Sequence, residues 1–289
     1  MELGSLARWI RKDGQAWEGA LSWIKSEGSG RDVMLVHGLA ASHECWRGVT
    51  SKLVRNDKKP FRVHTVQMRG FAGQPPPLSR QPGRYLQTVA DELADYIRAS
   101  RSGPVALCGH SMGGIVSLIV ARDHPEVVDR LMVVDVPSFF SVLINPFATE
   151  ATFAAFAEAT RRAYLDRSRE ALLDDLRRSA RRMVTDEGLV EQIVSWGGES
   201  DQALTADVMA EVMTTDLRPD LPRIPVLADI VYAWDRQAPT TRVGLDQLYA
   251  SAYSGLAGSR LIRIDDARHY VMLDQSSAFL KAVRSWLAR

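Results

Sequence analysis

Residues 104–122 read PVALCGHSMGGIVSLIVAR, and this stretch decides the fold. The apolar run Pro104–Cys108 predicts a buried strand, and the apolar run Ile115–Arg122 predicts a helix that follows almost at once. Between them Ser111 stands two residues from Gly109 and two from Gly113. Small residues at these spacings let a strand and a helix approach each other without a Cβ clash. We therefore expect Ser111 to occupy a sharp, strained turn between strand and helix.

The alternation of strand-like and helix-like segments continues around this stretch. Further strands are predicted at Asp32–His37, Phe61–Met68, Arg130–Val136, Val226–Tyr232 and Arg260–Ile264. Helical patterns occupy about Cys45–Arg55, Tyr85–Ala99, Arg242–Ser254 and Ser276–Ala288. A turn signal at Asp13-Gly14 adds an N-terminal antiparallel hairpin. The pattern predicts an α/β fold, a mostly parallel sheet with helices on both faces.

One long segment interrupts this alternation. After Pro137 no strand-like run appears until Ile224, and residues 148–215 are rich in Ala, Arg, Glu and Leu, with breaks that divide them into about four helices. We expect residues 137–220 to form an inserted helical cap. Residues 1–136 and 221–289 would then form the core.

Composition narrows the class of protein. The chain of 289 residues has 36 Lys and Arg against 35 Asp and Glu, and this net charge of +1 argues against nucleic acid as a partner. Cys45 and Cys108 are too few for a disulfide framework, which favours a reducing, cytoplasmic compartment. Met1–Gln15 lacks the apolar stretch of a signal peptide, and no uncharged run reaches the length of a membrane span. We expect no membrane association.

Ser111 is the candidate nucleophile, and a serine hydroxyl needs a base within hydrogen-bond reach. His269 follows the last predicted strand and should lie over the carboxyl edge of the sheet, where Ser111 also emerges. A carboxylate must orient that imidazole. Asp235, after the strand Val226–Tyr232, is the predicted acid, because it lies between serine and histidine in chain order. Asp135, at the end of an earlier strand, is the alternative.

Five stretches of the chain form one set of motifs. They are Val36-His37-Gly38-Leu39, Met68-Arg69-Gly70-Phe71-Ala72-Gly73, the turn Gly109–Gly114, Trp234-Asp235 with Pro239, and Arg268-His269. Together they resemble a serine hydrolase of the α/β-hydrolase superfamily with a helical cap. The resemblance implies that the backbone N–H groups of Leu39 and Met112 form an oxyanion hole.

Candidate substrate contacts are aromatic. Trp46, Phe139, Phe140, Trp196 and Tyr270 are the proposed pocket residues, although most aromatic side chains in such positions belong to the core. An apolar pocket would take a small substrate with an apolar acyl group.

The segment from Arg161 to Arg182 holds eight Arg and four acidic residues. We interpret it as a solvated helix face; the alternative is a docking surface for an acidic carrier protein. No phosphate loop, dinucleotide fingerprint or zinc-spaced histidine pair occurs, so we predict no cofactor and no metal.

The predicted activity is hydrolysis of a carboxylic ester, lactone or thioester through an acyl-enzyme intermediate, with Ser111, His269 and Asp235 as the triad. Two alternatives stay open at this point. Hydrolysis of a carbon–carbon bond would use the same triad, and a non-catalytic small-molecule receptor would keep the fold and the pocket. The sequence does not specify an oligomeric state.

Overall fold

The computed structural model describes residues 8–9, 16–55, 60–78, 83–100 and 103–289. Within these ranges nine strands form one sheet, in the order β1-β2-β3-β5-β4-β6-β7-β8-β9. The strands are β1 Arg8–Trp9, β2 Ala16–Glu18, β3 Ser22–Gly28, β4 Arg31–Val36, β5 Phe61–Met68, β6 Val105–His110, β7 Val128–Val134, β8 Ala228–Trp234 and β9 Arg260–Asp265.

The sheet is mostly parallel, as the sequence predicts. From β5 to β9 each neighbouring pair is parallel, whereas β1, β2 and β3 pair antiparallel and β3 joins β5 antiparallel. The predicted N-terminal hairpin pairing is therefore present, but its turn at Asp13-Gly14 lies outside the described residues. Because β4 to β9 run in one direction, the residues that follow them meet at one edge of the sheet.

The helices are α1 Arg47–Val54, α2 Tyr85–Ser100, α3 Met112–Asp123, α4 Glu150–Leu165, α5 Arg169–Met183, α6 Val190–Gly198, α7 Gln202–Thr214, α8 Arg242–Ala252, α9 Val271–Asp274 and α10 Ser276–Ala288. In chain order, α1 to α8 lie between strands, and α9 and α10 follow β9. Short 3₁₀ turns occupy His43–Trp46, Pro125–Val127, Phe140–Leu143, Glu187–Leu189 and Arg218–Arg223.

Two hydrophobic clusters cover the two faces of the sheet. On β4, Met34 and Val36 pack into the cluster that includes α2 and α3, while Val33 and Leu35 pack into the cluster that includes α1 and α10. This alternation is the period of two that a strand imposes on its side chains. The α/β class, with helices on both faces, is confirmed.

A helical insert separates β7 from β8. Its four helices α4 to α7 match the number that the sequence predicts, and α4 packs along α7 while α5 packs along α6. The division into a core of residues 1–136 and 221–289 and a cap of residues 137–220 remains our proposal, and this insert supports it.

Candidate active site

Ser111 sits in a strained turn between β6 and α3. Its φ of 54° and ψ of −124° are unusual for a residue with a side chain. The Ser111 N–H donates to the carbonyl of Val134 at 2.8 Å, and the Ser111 carbonyl accepts from the N–H of Gly114 at 2.8 Å. A Cβ added to Gly109 would lie 2.0 Å from the carbonyl oxygen of Gly113. The predicted sharp turn and its need for glycine are both present.

His269 is paired with Asp135. The imidazole Nδ1 lies 2.8 Å from Oδ2 of Asp135, and Oδ1 of the same carboxylate accepts from the backbone N–H of Ala233 at 2.9 Å. Asp135 follows β7 directly and has a φ of 54°, a left-handed conformation that aspartate tolerates better than most residues. Both carboxylate oxygens are therefore engaged, which fixes the plane of the carboxylate against the ring.

The choice of Asp235 as the partner of His269 is wrong in this geometry. Its Oδ2 lies 2.5 Å from Nε of Arg268, and its Oδ1 accepts from the backbone N–H of Gln237 at 2.9 Å. The physical reason is that β8, which Asp235 directly follows, lies between β7 and β9 in the sheet. The loop after β9 turns the side chain of Arg268 to Asp235 and that of the next residue, His269, to Asp135.

His110 connects the His269 loop to the serine turn. Its Nε2 lies 2.9 Å from the carbonyl oxygen of His269, and the two rings are 4.5 Å apart between centroids. Burial lowers the pKa of His110 well below its ordinary value, so the ring is neutral and Nε2–H donates to that carbonyl. Sequence reasoning gave His110 no role beyond flanking Ser111. The contact brings the backbone of His269 to the residue that precedes Ser111.

The loop after β4 carries the second predicted oxyanion donor. Among the described residues, none accepts a hydrogen bond from the backbone N–H of Leu39 or of Met112. The buried imidazole of His37 stabilises this loop, because its Nδ1 lies 2.7 Å from the carbonyl oxygen of Gly38 and its Nε2 accepts from the N–H of Met68 at 3.0 Å. Burial lowers the pKa of His37 to about 3, which keeps the ring neutral.

Four of the five candidate pocket residues are buried in the core, and two of these four are fully buried. Trp46 and Phe139 are 0% exposed, so neither side chain can line a substrate pocket in this conformation. Trp46 packs between His110 and Phe279. Phe140 is half-buried against two hydrophobic clusters and remains a candidate.

Trp196 and Tyr270 also remain candidates. Both are mostly buried, with ring centroids 6.2 Å apart, and the Tyr270 ring lies 4.9 Å from the ring of His110. These two side chains therefore adjoin the His269 loop.

The arginine-rich segment is largely neutralised by its neighbours. Glu158 pairs with Arg161 and Arg162, and acidic side chains from flanking elements pair with others: Asp207 with Arg161, Glu191 with Arg177, and Glu187 with Arg181. These four acidic partners lie outside residues 161–182 and equal the local excess of four positive charges. This pairing favours the interpretation as a solvated helix face.

Within the described ranges, no three His, Cys, Asp or Glu side chains group closely enough to hold a metal ion. None of the helices described is both long and apolar enough to cross a bilayer.

Comparison with known proteins gives one family. The model of the "Alpha/beta hydrolase family" matches residues 33–282. The sn-1-specific diacylglycerol lipase ABHD11 of Mus musculus is 24% identical over 270 residues, which cover 89% of this chain and 80% of that protein. The pimeloyl-(acyl-carrier protein) methyl ester esterase of Aliivibrio fischeri (strain MJ11) is 30% identical over 122 residues, which cover 42% of each.

A solved structure shares the whole fold. The crystal structure of a hydrolase from Pseudomonas aeruginosa PA01 superposes with a TM-score of 0.75 at 20% identity and covers 99% of this chain and 100% of that one. At that identity the likeness concerns the fold. Since the family model spans 250 of the 289 residues, the chain belongs to the alpha/beta hydrolase family.

Proposed function

We propose that this protein hydrolyses a carboxylic ester through a covalent acyl intermediate on Ser111. In this proposal His269 is the general base and Asp135, rather than Asp235, is the acid that orients it. The backbone N–H groups of Leu39 and Met112 form the oxyanion hole.

The observation that carries the proposal is the contact between His269 and Asp135. The 2.8 Å distance between Nδ1 and Oδ2 leaves Nε2 of His269 as the nitrogen that can take a proton from a hydroxyl. The hydrogen bond from His110 ties this imidazole-bearing loop to the residue before Ser111. Strain at Ser111 and a base oriented by a carboxylate are two of the features by which such a constellation is recognised.

The chemistry then follows from the positions of the groups. As Ser111 Oγ attacks the ester carbonyl, its proton passes to Nε2 of His269, and the carbonyl oxygen becomes an oxyanion that accepts from Leu39 and Met112. Nε2 returns the proton to the leaving alcohol as the carbon–oxygen bond breaks. Water attacks the acyl-serine by the same route, which releases the acid and restores Ser111. The pair with Asp135 stabilises the imidazolium that forms in each half.

The substrate class in this proposal is an ester of a small apolar acyl group. Phe140, Trp196 and Tyr270 are the candidates for contact with the acyl chain. Two relatives are named as ester-cleaving enzymes, one a diacylglycerol lipase and the other a methyl ester esterase. Both names support an oxygen ester as the scissile group.

We further propose that the substrate is a free ester rather than one bound to an acidic carrier protein. The arginines between Arg161 and Arg182 are mostly paired with acidic side chains, which leaves little unbalanced positive charge for such a partner. If this face is only solvated, it does not help to bind a carrier protein. We therefore expect kcat/KM for an ester attached to a carrier protein to be no higher than for the free ester.

The test combines covalent labelling with turnover. The protein is incubated with a fluorophosphonate probe and, separately, with p-nitrophenyl esters of increasing acyl length. Wild type should take one probe per chain and release p-nitrophenol, and Ser111→Ala should lose both. Ser277→Ala, which removes an exposed hydroxyl on α10, is the control and should match wild type.

Each alternative gives a different result. A receptor without catalytic function would bind an ester but release no alcohol. A carbon–carbon bond hydrolase would take the probe but cleave a vinylogous diketone at least as fast as any ester. Turnover that persists in Ser111→Ala would refute the assignment of the nucleophile.

A further inference from the structure

We propose that Arg268 and Asp235 are positioning residues that hold His269 in its working orientation by docking its loop onto the end of helix α5. The inference rests on the proposed function, since it assigns His269 the role of base. It gives Asp235 a role in place of the one that the sequence predicted for it.

The side chain of Arg268 donates hydrogen bonds to three acceptors. Its Nε donates to Oδ2 of Asp235 at 2.5 Å, and its Nη1 donates to the carbonyl oxygens of Arg181 at 2.6 Å and Val184 at 2.8 Å. The side chains of Arg268 and Asp235 are 16% and 11% exposed. A planar guanidinium with little access to water holds such a set of partners in a fixed geometry.

The end of α5 is a natural acceptor for this loop. The last carbonyl groups of a helix have no partner within the helix and must be satisfied from outside. α5 ends at Met183, and three carbonyl oxygens at its C-terminal end accept from the two residues that flank His269. Those of Arg181 and Val184 accept from Arg268, and that of Met183 accepts from the N–H of Tyr270 at 2.9 Å. His269 is the residue between these two anchors.

A second carboxylate completes the attachment. Oδ2 of Asp274 accepts from the backbone N–H of Arg268 at 2.8 Å, and Oδ1 accepts from the backbone N–H of Thr185 at 2.8 Å. Thr185 follows α5 closely, so Asp274 joins the same two segments as Arg268 does. The backbone on both sides of His269 is thus tied to the helical insert, while its side chain reaches Asp135 of the core.

The consequence for catalysis is geometric. A histidine base must hold its Nε2 close to the serine hydroxyl, and a misplacement of about 1 Å can lower a rate about a hundredfold. Releasing Arg268 from Asp235 would free the loop to turn, although every proposed reacting group would remain present. The loss should therefore appear in kcat rather than in KM.

The test compares Arg268→Gln with a matched control, Arg130→Gln. Arg130 resembles Arg268 because it is 14% exposed, pairs with an aspartate, Asp129, and donates through Nη1 to a carbonyl oxygen near the end of a helix, that of Trp286. It lies near the start of β7, however, whereas Asp135 follows the end of that strand. We expect Arg268→Gln to lower kcat and the second-order rate of fluorophosphonate labelling about tenfold to a hundredfold, with KM within about twofold of wild type. Arg130→Gln should leave kcat and the labelling rate at wild-type values.

Asp235→Asn is the second variant, and it tests the same contact if Arg268→Gln does not fold. It keeps the size of the side chain and removes the charge that holds Arg268, so kcat and the rate of labelling should fall about tenfold. The double variant Asp235→Asn with Arg268→Gln should be no slower than Arg268→Gln alone, because the contact that Asp235→Asn breaks is already lost in Arg268→Gln.

Failure of this inference differs from failure of the proposed function. If wild type takes the probe, Ser111→Ala does not, and Arg268→Gln and Asp235→Asn both react at the wild-type rate, the positioning role is overturned while the function stands. A rise in KM alone, with kcat at the wild-type value, would also overturn the positioning role. If wild type itself takes no probe and cleaves no ester, the proposed function is what fails.

Discussion

The imidazole of His269 and the carboxylate of Asp135 meet at 2.8 Å although 134 positions separate them in the chain. Asp135 lies at the end of β7, the strand beside β6, whose end leads into Ser111. Serine and acid therefore come from adjacent strands, and the loop that carries His269 reaches back across β8 to the acid. This arrangement makes the two aspartates, Asp135 and Asp235, experimentally separable.

Asp135→Asn should be far more damaging than Asp235→Asn. An asparagine presents an amide to Nδ1 of His269, favours the wrong tautomer and cannot stabilise the imidazolium, so we expect kcat to fall on the order of 10⁴-fold. Asp235→Asn should lower kcat only about tenfold, because it breaks the contact with Arg268 that holds the loop of His269. Steady-state hydrolysis of a p-nitrophenyl ester gives both values. Equal losses in the two variants, or the larger loss in Asp235→Asn, would reject the assignment of Asp135.

Chain order could not rank these two aspartates correctly, because the difference between them is tertiary. Both follow predicted strands, both should emerge at the carboxyl edge, and chain order favoured Asp235. What decides the matter is the presence of Arg268, which directly precedes His269 and takes Asp235 as its partner. A cation next to the candidate base was the one local signal that Asp235 could be engaged elsewhere.

Gly38→Ala should slow the reaction by crowding the serine. A Cβ at this position would lie 3.0 Å from Cβ of Ser111 and 3.2 Å from Nδ1 of His110, so the loop or the serine must shift by a few tenths of an ångström. We expect kcat and the rate of fluorophosphonate labelling to fall about tenfold or more, since Leu39 is displaced with the loop. Labelling at the wild-type rate would argue that the loop after β4 plays no part in the oxyanion hole.

Periodicity, by contrast, was sufficient to predict the fold. β5 spans Phe61–Met68 and α10 spans Ser276–Ala288, the bounds that the pattern predicts for each. Fully buried parallel strands produce unbroken apolar runs, which are strong local signals. Pocket residues produce no such signal, because an aromatic side chain is equally apolar whether it lines a cleft or fills the core. Trp46 and Phe139 were misassigned for this reason.

Gly113→Ala should destabilise the protein, whereas Gly48→Ala should not. A Cβ on Gly113 would lie 2.5 Å from the carbonyl oxygens of Val36 and His37, and backbone atoms of a central strand cannot move aside cheaply. We expect a loss of about 3 kcal/mol in the free energy of unfolding, at the upper end for overpacking. Gly48 in α1 has no atom within 4 Å of an added Cβ, so alanine there should gain up to about 1 kcal/mol. Urea denaturation measures both, and an unchanged midpoint for Gly113→Ala would contradict the close approach of β4 and α3.

Acid should weaken the fold partly through His37. This imidazole is 0% exposed and accepts a hydrogen bond at Nε2 from Met68, which the protonated ring could not do. Because burial lowers the folded-state pKa to about 3 from an unfolded value of 6.5, the unfolded chain binds the proton first as the pH falls. The stabilising contribution of His37 is complete above pH 6.5. It is lost by about 1.4 kcal/mol per pH unit as the pH falls from 6.5 towards 3.

The measurement is the free energy of unfolding of wild type and of His37→Asn between pH 4.5 and pH 8. Asparagine retains one donor and one acceptor but does not titrate, and the shifted carboxylates and His110 are present in both proteins, so their contributions cancel in the difference. The free energy of unfolding of wild type minus that of the variant should be constant above pH 6.5 and should decrease steadily below it. Two curves that stay parallel down to pH 4.5 would mean that His37 is protonated equally in the folded and unfolded states, which its burial between β4 and β5 does not allow.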